Sequence, residues 1–379
     1  MKIAVNTRLL LPNRLEGIGW FTYETLKRIV GNHPEHEFFF LFDRPCSNEY
    51  IFTKNVTPVV LPPQSRHPVL WYIWFEFSVA RFLRKNNIDI FISPDGYLST
   101  RTKVPSIAVI HDINFAHHPE GMPILTGWYF NHFFPLFAKK AAHIVTVSEY
   151  SKSDIASTYN LPLDKISVAY NGVNPSYTIL TPQEVDAERA SLTEGKPYFL
   201  FVGAFNPRKN VARLIRAFDL FRQKHGEQYK LVLVGEKMFK TADIRRAYYE
   251  MEYKDDVVFT GRLNIARLQK VMGAAFSLVF VPYFEGFGIP LVEAMRCGVP
   301  IIASNRTSIP EVTQNAALLV DPFCVEEIAA AMIRLSTNPL LANELVSKGL
   351  ERVKLFSWDI TAERLWHATL QVASENGIL

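Results

Sequence analysis

The sequence predicts an α/β protein built from two doubly wound parallel-sheet domains facing a cleft. Three observations predict it. Short apolar runs alternate with longer helical patterns almost from end to end, which is the pattern of βα units that build parallel sheets. The chain has 379 residues, 48% of them hydrophobic, enough to bury two cores of ordinary size. The alternation lapses once, across residues 174–196, where Pro175, Pro182 and Pro197 punctuate a polar stretch without clear periodicity, and the interdomain linker is expected there.

In the first half the apolar runs at residues 2–5, 37–42, 57–61, 88–92, 106–110, 143–147 and 165–168 read as strands. Helical spacing covers residues 18–30, 70–85, 125–140 and 149–158, with Ser148 as an N-cap. In the second half the strands are expected at 198–202, 230–234, 256–259, 276–280, 299–303 and 317–320. Helices fit 210–225, 240–249, 264–272, 290–297, 325–336 and 340–353. No solenoid repeat or low-complexity tract interrupts this order.

Composition narrows the function. The 41 basic and 37 acidic residues nearly balance, for a formal charge of +4, which argues against a nucleic-acid groove but leaves room for a local anion site. Cys46, Cys297 and Cys324 are odd in number and far apart, so neither a disulfide framework nor a zinc knuckle is implied, and a reducing, cytoplasmic setting is expected. The opening MKIAVNTRLLL lacks a cleavage site and reads as a strand. No apolar stretch approaches the roughly 20 residues of a membrane span. The richest, residues 69–83, carries Glu76 and Arg81. A buried amphipathic helix is favoured there over a membrane-surface helix, because the basic residues do not line one face, and peripheral contact with the inner face of a membrane stays open.

Ligands of open α/β sheets bind beyond the carboxyl ends of the strands, so three turns take priority. The first follows the strand at 276–280 and runs from Glu285 through Gly286, Phe287, Gly288, Ile289 and Pro290 to Glu293. Proline suits a first helical turn and the glycines allow close backbone approach, so the helix N-terminus would face a diphosphate without needing a metal. Glu285 and Glu293 would then accept hydrogen bonds from vicinal hydroxyls of a ribose or hexose. On spacing alone, a loop acid and a solvated helix residue are an equally good reading. The second turn is Gly203-Ala204-Phe205-Asn206-Pro207-Arg208-Lys209-Asn210, where two adjacent cations would suit a leaving diphosphate or simply be surface charge. The third, Arg14 to Trp20, opens a helix after the first strand and contains Gly17 and Gly19, a weak signal that fits a plain turn as well. In the same domain His111 and Asp112 lie just past a strand, with His117 and His118 close behind, but their spacing matches no zinc pattern and no metal is expected.

These residues resemble the retaining glycosyltransferases of family 4, the group 1 class with the two-domain, Rossmann-like GT-B fold. EGFGIPLVEAMRCGVPIIAS is similar to that family's block of two glutamates separated by seven residues, and NPRKN, LIRAF, IHDINF, TVSEYSKSDI, DKISVAYNGV and FSWDITAERL resemble its landmarks in the expected order. The resemblance implies that residues 1–174 with 360–379 form an acceptor-binding domain and 175–359 a nucleotide-sugar-binding domain, with a final helix near 363–373 crossing back to the first. It implies that Glu285 contacts donor-sugar hydroxyls and Glu293 the ribose, while Phe287, Gly288 and Ile289 offer backbone to the sugar and diphosphate. Arg208 and Lys209 would neutralise the diphosphate, Gly19 would close over it from an N-terminal loop, and His111 would lie near the anomeric carbon. The pattern departs at Ala204, where many relatives carry arginine, and Arg208 is the residue left for that load.

With no DxD anywhere in the chain, the resemblance implies metal-independent transfer of a hexose with retention, without a cofactor beyond the nucleotide-sugar substrate. The blocks look like those of mannosyltransferases of surface polysaccharide assembly, so mannose from GDP-mannose is the first choice and a UDP-hexose the second. A saccharide or lipid-linked glycan would be the acceptor. The alternatives are a nucleotide-sugar epimerase or phosphorylase on the same fold, or a non-catalytic nucleotide-sugar-binding subunit.

Overall fold

The computed structural model describes residues 1–12, 15–119, 122–225, 228–236 and 241–379. Arg14 and Lys240, named above in a turn and a helix, lie outside the described residues. The chain divides into two compact units, Met1–Gly172 with Ser357–Leu379, and Val173–Phe356.

In chain order the first unit runs β1 (Lys2–Asn6), α1 (Gly17–Asn32), β2 (Glu37–Phe42), β3 (Val56–Val60), α2 (Pro68–Ile73), a π-helical segment (Trp74–Val79) and α3 (Ala80–Lys85). It continues through β4 (Ile90–Ser93), β5 (Ser106–Val109), α4 (Asn114–His117), α5 (Ile124–Lys140), β6 (His143–Thr146), α6 (Glu149–Tyr159) and β7 (Ile166–Val168). The strands form one parallel sheet in the order β3-β2-β1-β4-β5-β6-β7. Every residue of β4, β5 and β6 is buried, as expected where helices cover both faces of a parallel sheet. Ser148 caps α6 as expected, its side chain accepting from Ser151 N–H.

Two readings of helices change. The stretch read as one helix at 70–85 is divided by the π segment, where Trp74, Phe75 and Glu76 are consecutive and all buried. A regular α-helix turns about 100° per residue and would carry such a run away from the core, whereas a π turn widens to keep it inward. Nor is 174–196 a structureless linker, because it contains α7 (Pro182–Thr193). That helix is polar and shows no apolar stripe, so its periodicity is silent. Its start signals are complete: Thr181 and Glu184 make a reciprocal capping box and Pro182 occupies the first turn.

After α7 the second unit runs β8 (Tyr198–Val202), α8 (Val211–His225), β9 (Lys230–Val234), α9 (Ala242–Glu250), β10 (Val257–Gly261), α10 (Ile265–Gly273) and β11 (Ser277–Phe280). It ends with α11 (Ile289–Arg296), β12 (Ile301–Ser304), α12 (Ile309–Thr313), β13 (Ala317–Val320), α13 (Val325–Ser336) and α14 (Pro339–Arg352). Its parallel sheet has the order β10-β9-β8-β11-β12-β13. Glu188 of α7 accepts from Arg267 of α10 at 2.6 Å and Arg189 donates to Ala274 O at 2.9 Å, which ties α7 into this unit.

The last helix, α15 (Trp358–Glu375), belongs to the first unit. Arg28 of α1 donates to Asp359 at 2.5 Å and Thr361 Oγ1 donates to Tyr170 O at 2.6 Å. A Cβ at Gly172 would stand 2.3 Å from Trp358 N, so only glycine lets the chain pass this close to the start of α15.

Candidate functional site

In each sheet the strand order reverses at one place, between β1 and β4 and between β8 and β11, and open α/β sheets generally bind ligands beyond the strand ends at such a reversal. In the second unit, two of the three turns singled out in the sequence flank this reversal. The turn after β8 is held by its own polar side chains. Asn206 accepts from Lys209 N–H and caps a short 3-10 turn, Pro207–Lys209. Asn210 follows in the left-handed region at φ 61°, which asparagine tolerates better than most residues. Its side-chain amide donates to Val281 O at 3.0 Å and Pro322 O at 2.6 Å, stitching this turn to the one after β11.

That stitching brings the two cations onto Glu285. Arg208 Nη1 donates to Glu285 Oε2 at 2.9 Å and to Phe284 O at 3.1 Å. Lys209 Nζ donates to the same Oε2 at 2.5 Å, and its ammonium sits 4.9 Å from the Phe280 ring centre. Burial pushes the Glu285 carboxyl up, but Arg208 and Lys209 outweigh it and hold the group below its ordinary range. Backbone contacts fix the loop from the other side: Glu285 N–H donates to Thr307 Oγ1 at 3.1 Å and Ser308 Oγ donates to Glu285 O at 2.8 Å. The site is therefore one shared carboxylate oxygen between two cations on a braced loop.

Gly288 caps α11 at φ 96°, a conformation that disfavours a side chain, and a Cβ there would also press to 2.8 Å from Leu291 Cδ1. Pro290 occupies the first turn, as the sequence indicated. Gly286 and Phe287 are buried in the loop, and the Phe287 ring meets Phe356 edge-on at 5.5 Å. Glu293 lies one turn further along, and the Tyr177 hydroxyl is the group that acts on its carboxyl. Burial raises its carboxyl to about 7, against the opposing pull of that hydroxyl. The two glutamates are thus shifted in opposite directions: the cations hold the Glu285 carboxyl low, and burial raises that of Glu293.

Gly203 leaves β8 with a φ of 152°, and its carbonyl oxygen would be 1.9 Å from a Cβ at Gly235, so the backbones of these two turns touch. Ile289 begins α11.

In the first unit His111 follows β5, and its Nε2 donates to Pro94 O at 2.9 Å while its ring meets Phe21 edge-on at 5.0 Å. Burial lowers its affinity for a second proton, against the Pro94 carbonyl and the charges of Asp112 and Asp95, so the ring is neutral. Next to it stands a buried pair that sequence reasoning did not single out: Arg8 Nε donates to Asp95 Oδ2 at 2.7 Å, with its guanidinium 4.3 Å from the Tyr97 ring centre. His117 pairs with Asp154 at 2.7 Å, and among the described residues no group of three His, Cys, Asp or Glu side chains is placed to hold a metal ion. Gly17 and Gly19 are the first and third residues of α1, so Gly19 lies in a helix and not in the loop before it. A Cβ at Gly19 would come within 3.1 Å of Leu9 O, which gives this glycine a packing reason of its own.

Known proteins decide the family. Residues 183–352 match the family of glycosyl transferases group 1, and residues 15–177 match glycosyltransferase family 4. The O-antigen chain mannosyltransferase RfbU of Salmonella typhimurium is 30% identical over 255 residues, 67% of this chain and 67% of that protein. The chain belongs to the group 1, family 4 glycosyltransferases. O-antigen chain mannosyltransferase B of Escherichia coli is 29% identical over 278 residues, 73% of each chain. Sucrose-phosphate synthase from Thermosynechococcus elongatus shares the GT-B architecture with a TM-score of 0.80 at 18% identity, covering 99% of both chains.

In this family 4 glycosyltransferase the sequence reading missed several residues around Glu285 and Glu293. Thr307 and Ser308 brace Glu285 from the turn after β12, and the signal was a pair of small hydroxyl residues directly past a strand. Tyr177 acts on the Glu293 carboxyl from the stretch read as linker, where no periodicity drew attention to it. Asn210 was quoted only as the end of a motif, yet it is the residue that joins the two turns.

Proposed function

We propose that this glycosyltransferase moves a hexose from a nucleotide-diphosphate donor held on its second unit, with mannose from GDP-mannose as the first donor to test. The observation that carries the donor site is the pairing of Arg208 and Lys209 on Glu285 beside the N-terminus of α11, at the strand reversal of the second sheet. Cations and a helix N-terminus suit a diphosphate, and a carboxylate released from them suits sugar hydroxyls. The choice of mannose is supported by the names of the two O-antigen mannosyltransferases, which also support a saccharide or lipid-linked glycan acceptor in surface polysaccharide assembly.

On this reading donor phosphates take over Arg208 and Lys209, and Glu285 turns to the sugar. Phe287, Gly288 and Ile289 present backbone to the diphosphate, Gly203 lines the floor, and Glu293 accepts from the ribose. For the first unit we propose acceptor handling, with the neutral His111 and the opening turn of α1 at Gly17 and Gly19 contributing to donor and acceptor placement. The C1–phosphate bond breaks, the acceptor oxygen bonds to C1 on the same face, and the acceptor proton passes to the leaving phosphate oxygen. Negative charge grows on that phosphate as the bond breaks, where Arg208 and Lys209 would answer it. No metal is invoked for this step.

The test is turnover of GDP-mannose and of UDP-glucose with a saccharide acceptor, with and without a chelator, reading the anomeric configuration of the product by NMR. The proposal expects an α-linked product from an α-linked donor, insensitivity to chelator, and a loss of roughly 100-fold or more in kcat for Glu285→Ala. Unchanged turnover in Glu285→Ala would sink the assignment, and an inverted product would sink the mechanism.

A further inference from the structure

The first unit exposes two apolar stripes at helical spacing. Val69, Ile73 and Phe77 recur every fourth residue along α2 and the π segment and are 53%, 36% and 47% exposed. Ile124, Trp128 and Leu136 follow the same spacing on α5 at 92%, 57% and 42%, with His132 in the intervening slot and stacked on Trp128 at 5.3 Å. A chain of ring contacts makes these one surface. Phe77 meets Tyr72 at 6.2 Å, Tyr72 meets Phe133 at 5.6 Å and Phe133 meets Trp128 at 6.2 Å, so two exposed rings are joined through two half-buried ones.

The exposed charges carried by α2, the π segment, α3 and α5 are all basic. Arg81 and Lys85 continue the first stripe on the next turns, and Lys140 continues the second beside Lys139. Lys165 donates to Lys139 O at 2.8 Å, and the Arg101 guanidinium lies 4.4 Å from the Phe77 ring centre. Residues 122–140 contain no acid, and the single acid of residues 68–85, Glu76, is 3% exposed and bonded to Ser99, Thr100 and Arg101. These cations stand out in a chain whose formal charge is only +4.

We infer that this face of α2, the π segment and α5 lies on an anionic phospholipid surface. Apolar side chains with tryptophan at their centre and lysine and arginine at their edges match the boundary between acyl chains and acidic headgroups. A second copy of the chain fits less well, since two such faces would bring like charges together. No described helix is long and apolar enough to cross a membrane, which agrees with a helix pair lying on the surface. The inference is independent of the donor reading.

Co-sedimentation of the full chain with phosphatidylcholine vesicles, with and without a phosphatidylglycerol fraction, tests it. The wild type should bind only the phosphatidylglycerol vesicles and release with added salt. The Ile124→Ser/Trp128→Ser variant and, separately, Lys139→Glu/Lys140→Glu should lose roughly tenfold or more in partitioning with unchanged melting temperatures. Absence of binding, equal binding to both vesicles, or undiminished binding by the folded variants would overturn the inference. So would wild-type self-association that Trp128→Ser abolishes, which would identify a second copy as the occupant.

Discussion

Lys209 Nζ lies 2.5 Å from Glu285 Oε2, the oxygen that also accepts from Arg208, so the two cations of one turn are neutralised in part by the carboxylate of another. The arrangement is a closed circuit that a diphosphate would open. Removing the carboxylate charge leaves two neighbouring cations facing each other in a nearly buried place. Glu285→Gln is therefore expected to lower stability by about 1–3 kcal/mol at neutral pH. Its folded-state carboxyl is held low, so this stabilisation is present above the ordinary glutamate range and is lost as pH falls through the lowered value. Urea unfolding of wild type and variant should show the gap closing on acidification, and a constant gap would contradict the pairing.

Glu293 has the opposite sign. Its folded carboxyl is raised from 4.5 to about 7 by burial, so the folded state binds the proton more tightly than the unfolded chain between those values. Stability is highest at acid pH and falls as pH rises toward 7, by about 3 kcal/mol in total. Glu293→Gln, which cannot ionise, should match the wild type below pH about 4 and exceed it at pH about 8. Parallel pH profiles for the two proteins in thermal unfolding would remove the buried-acid assignment.

Gly288 sets the start of α11 at φ 96°. Gly288→Ala should cost about 1–2 kcal/mol for the left-handed conformation, with some further displacement of Leu291. Calorimetry should record a lower melting temperature, and nucleotide titration a weaker affinity. An unchanged melting temperature would mean that the loop re-forms without its positive φ.

Asp95 supports the first unit in the same way that Glu285 supports the second. The Arg8–Asp95 pair is 2.7 Å long with both side chains nearly buried, so Asp95→Asn should destabilise by about 3–5 kcal/mol. Arg8→Met/Asp95→Asn should recover part of that loss, because no buried charge is then left alone. Chemical denaturation of the single and double variants checks this, and strictly additive losses would contradict it.

Much of the fold was legible because the strands of these parallel sheets are continuous apolar runs: β2, β8, β9 and β13 begin and end where the runs do. The turns at Arg208 and Glu285 were legible too, since strand ends are where such a fold places ligands. What periodicity could not give was contact between turns. That Glu285 is shared by both cations depends on Asn210 reaching Val281 and Pro322 across distant sequence, and spacing holds no record of it. The polar α7 was missed because its helix rests on capping and on the Glu188–Arg267 pair instead of an apolar stripe.

If Arg208 and Lys209 grip the donor diphosphate, calorimetric titration of GDP and UDP into wild type, Arg208→Ala and Lys209→Ala will register it. Whichever nucleotide binds the wild type should lose roughly 10- to 100-fold in affinity in each variant, with folding intact. Unchanged affinity in both variants would contradict it.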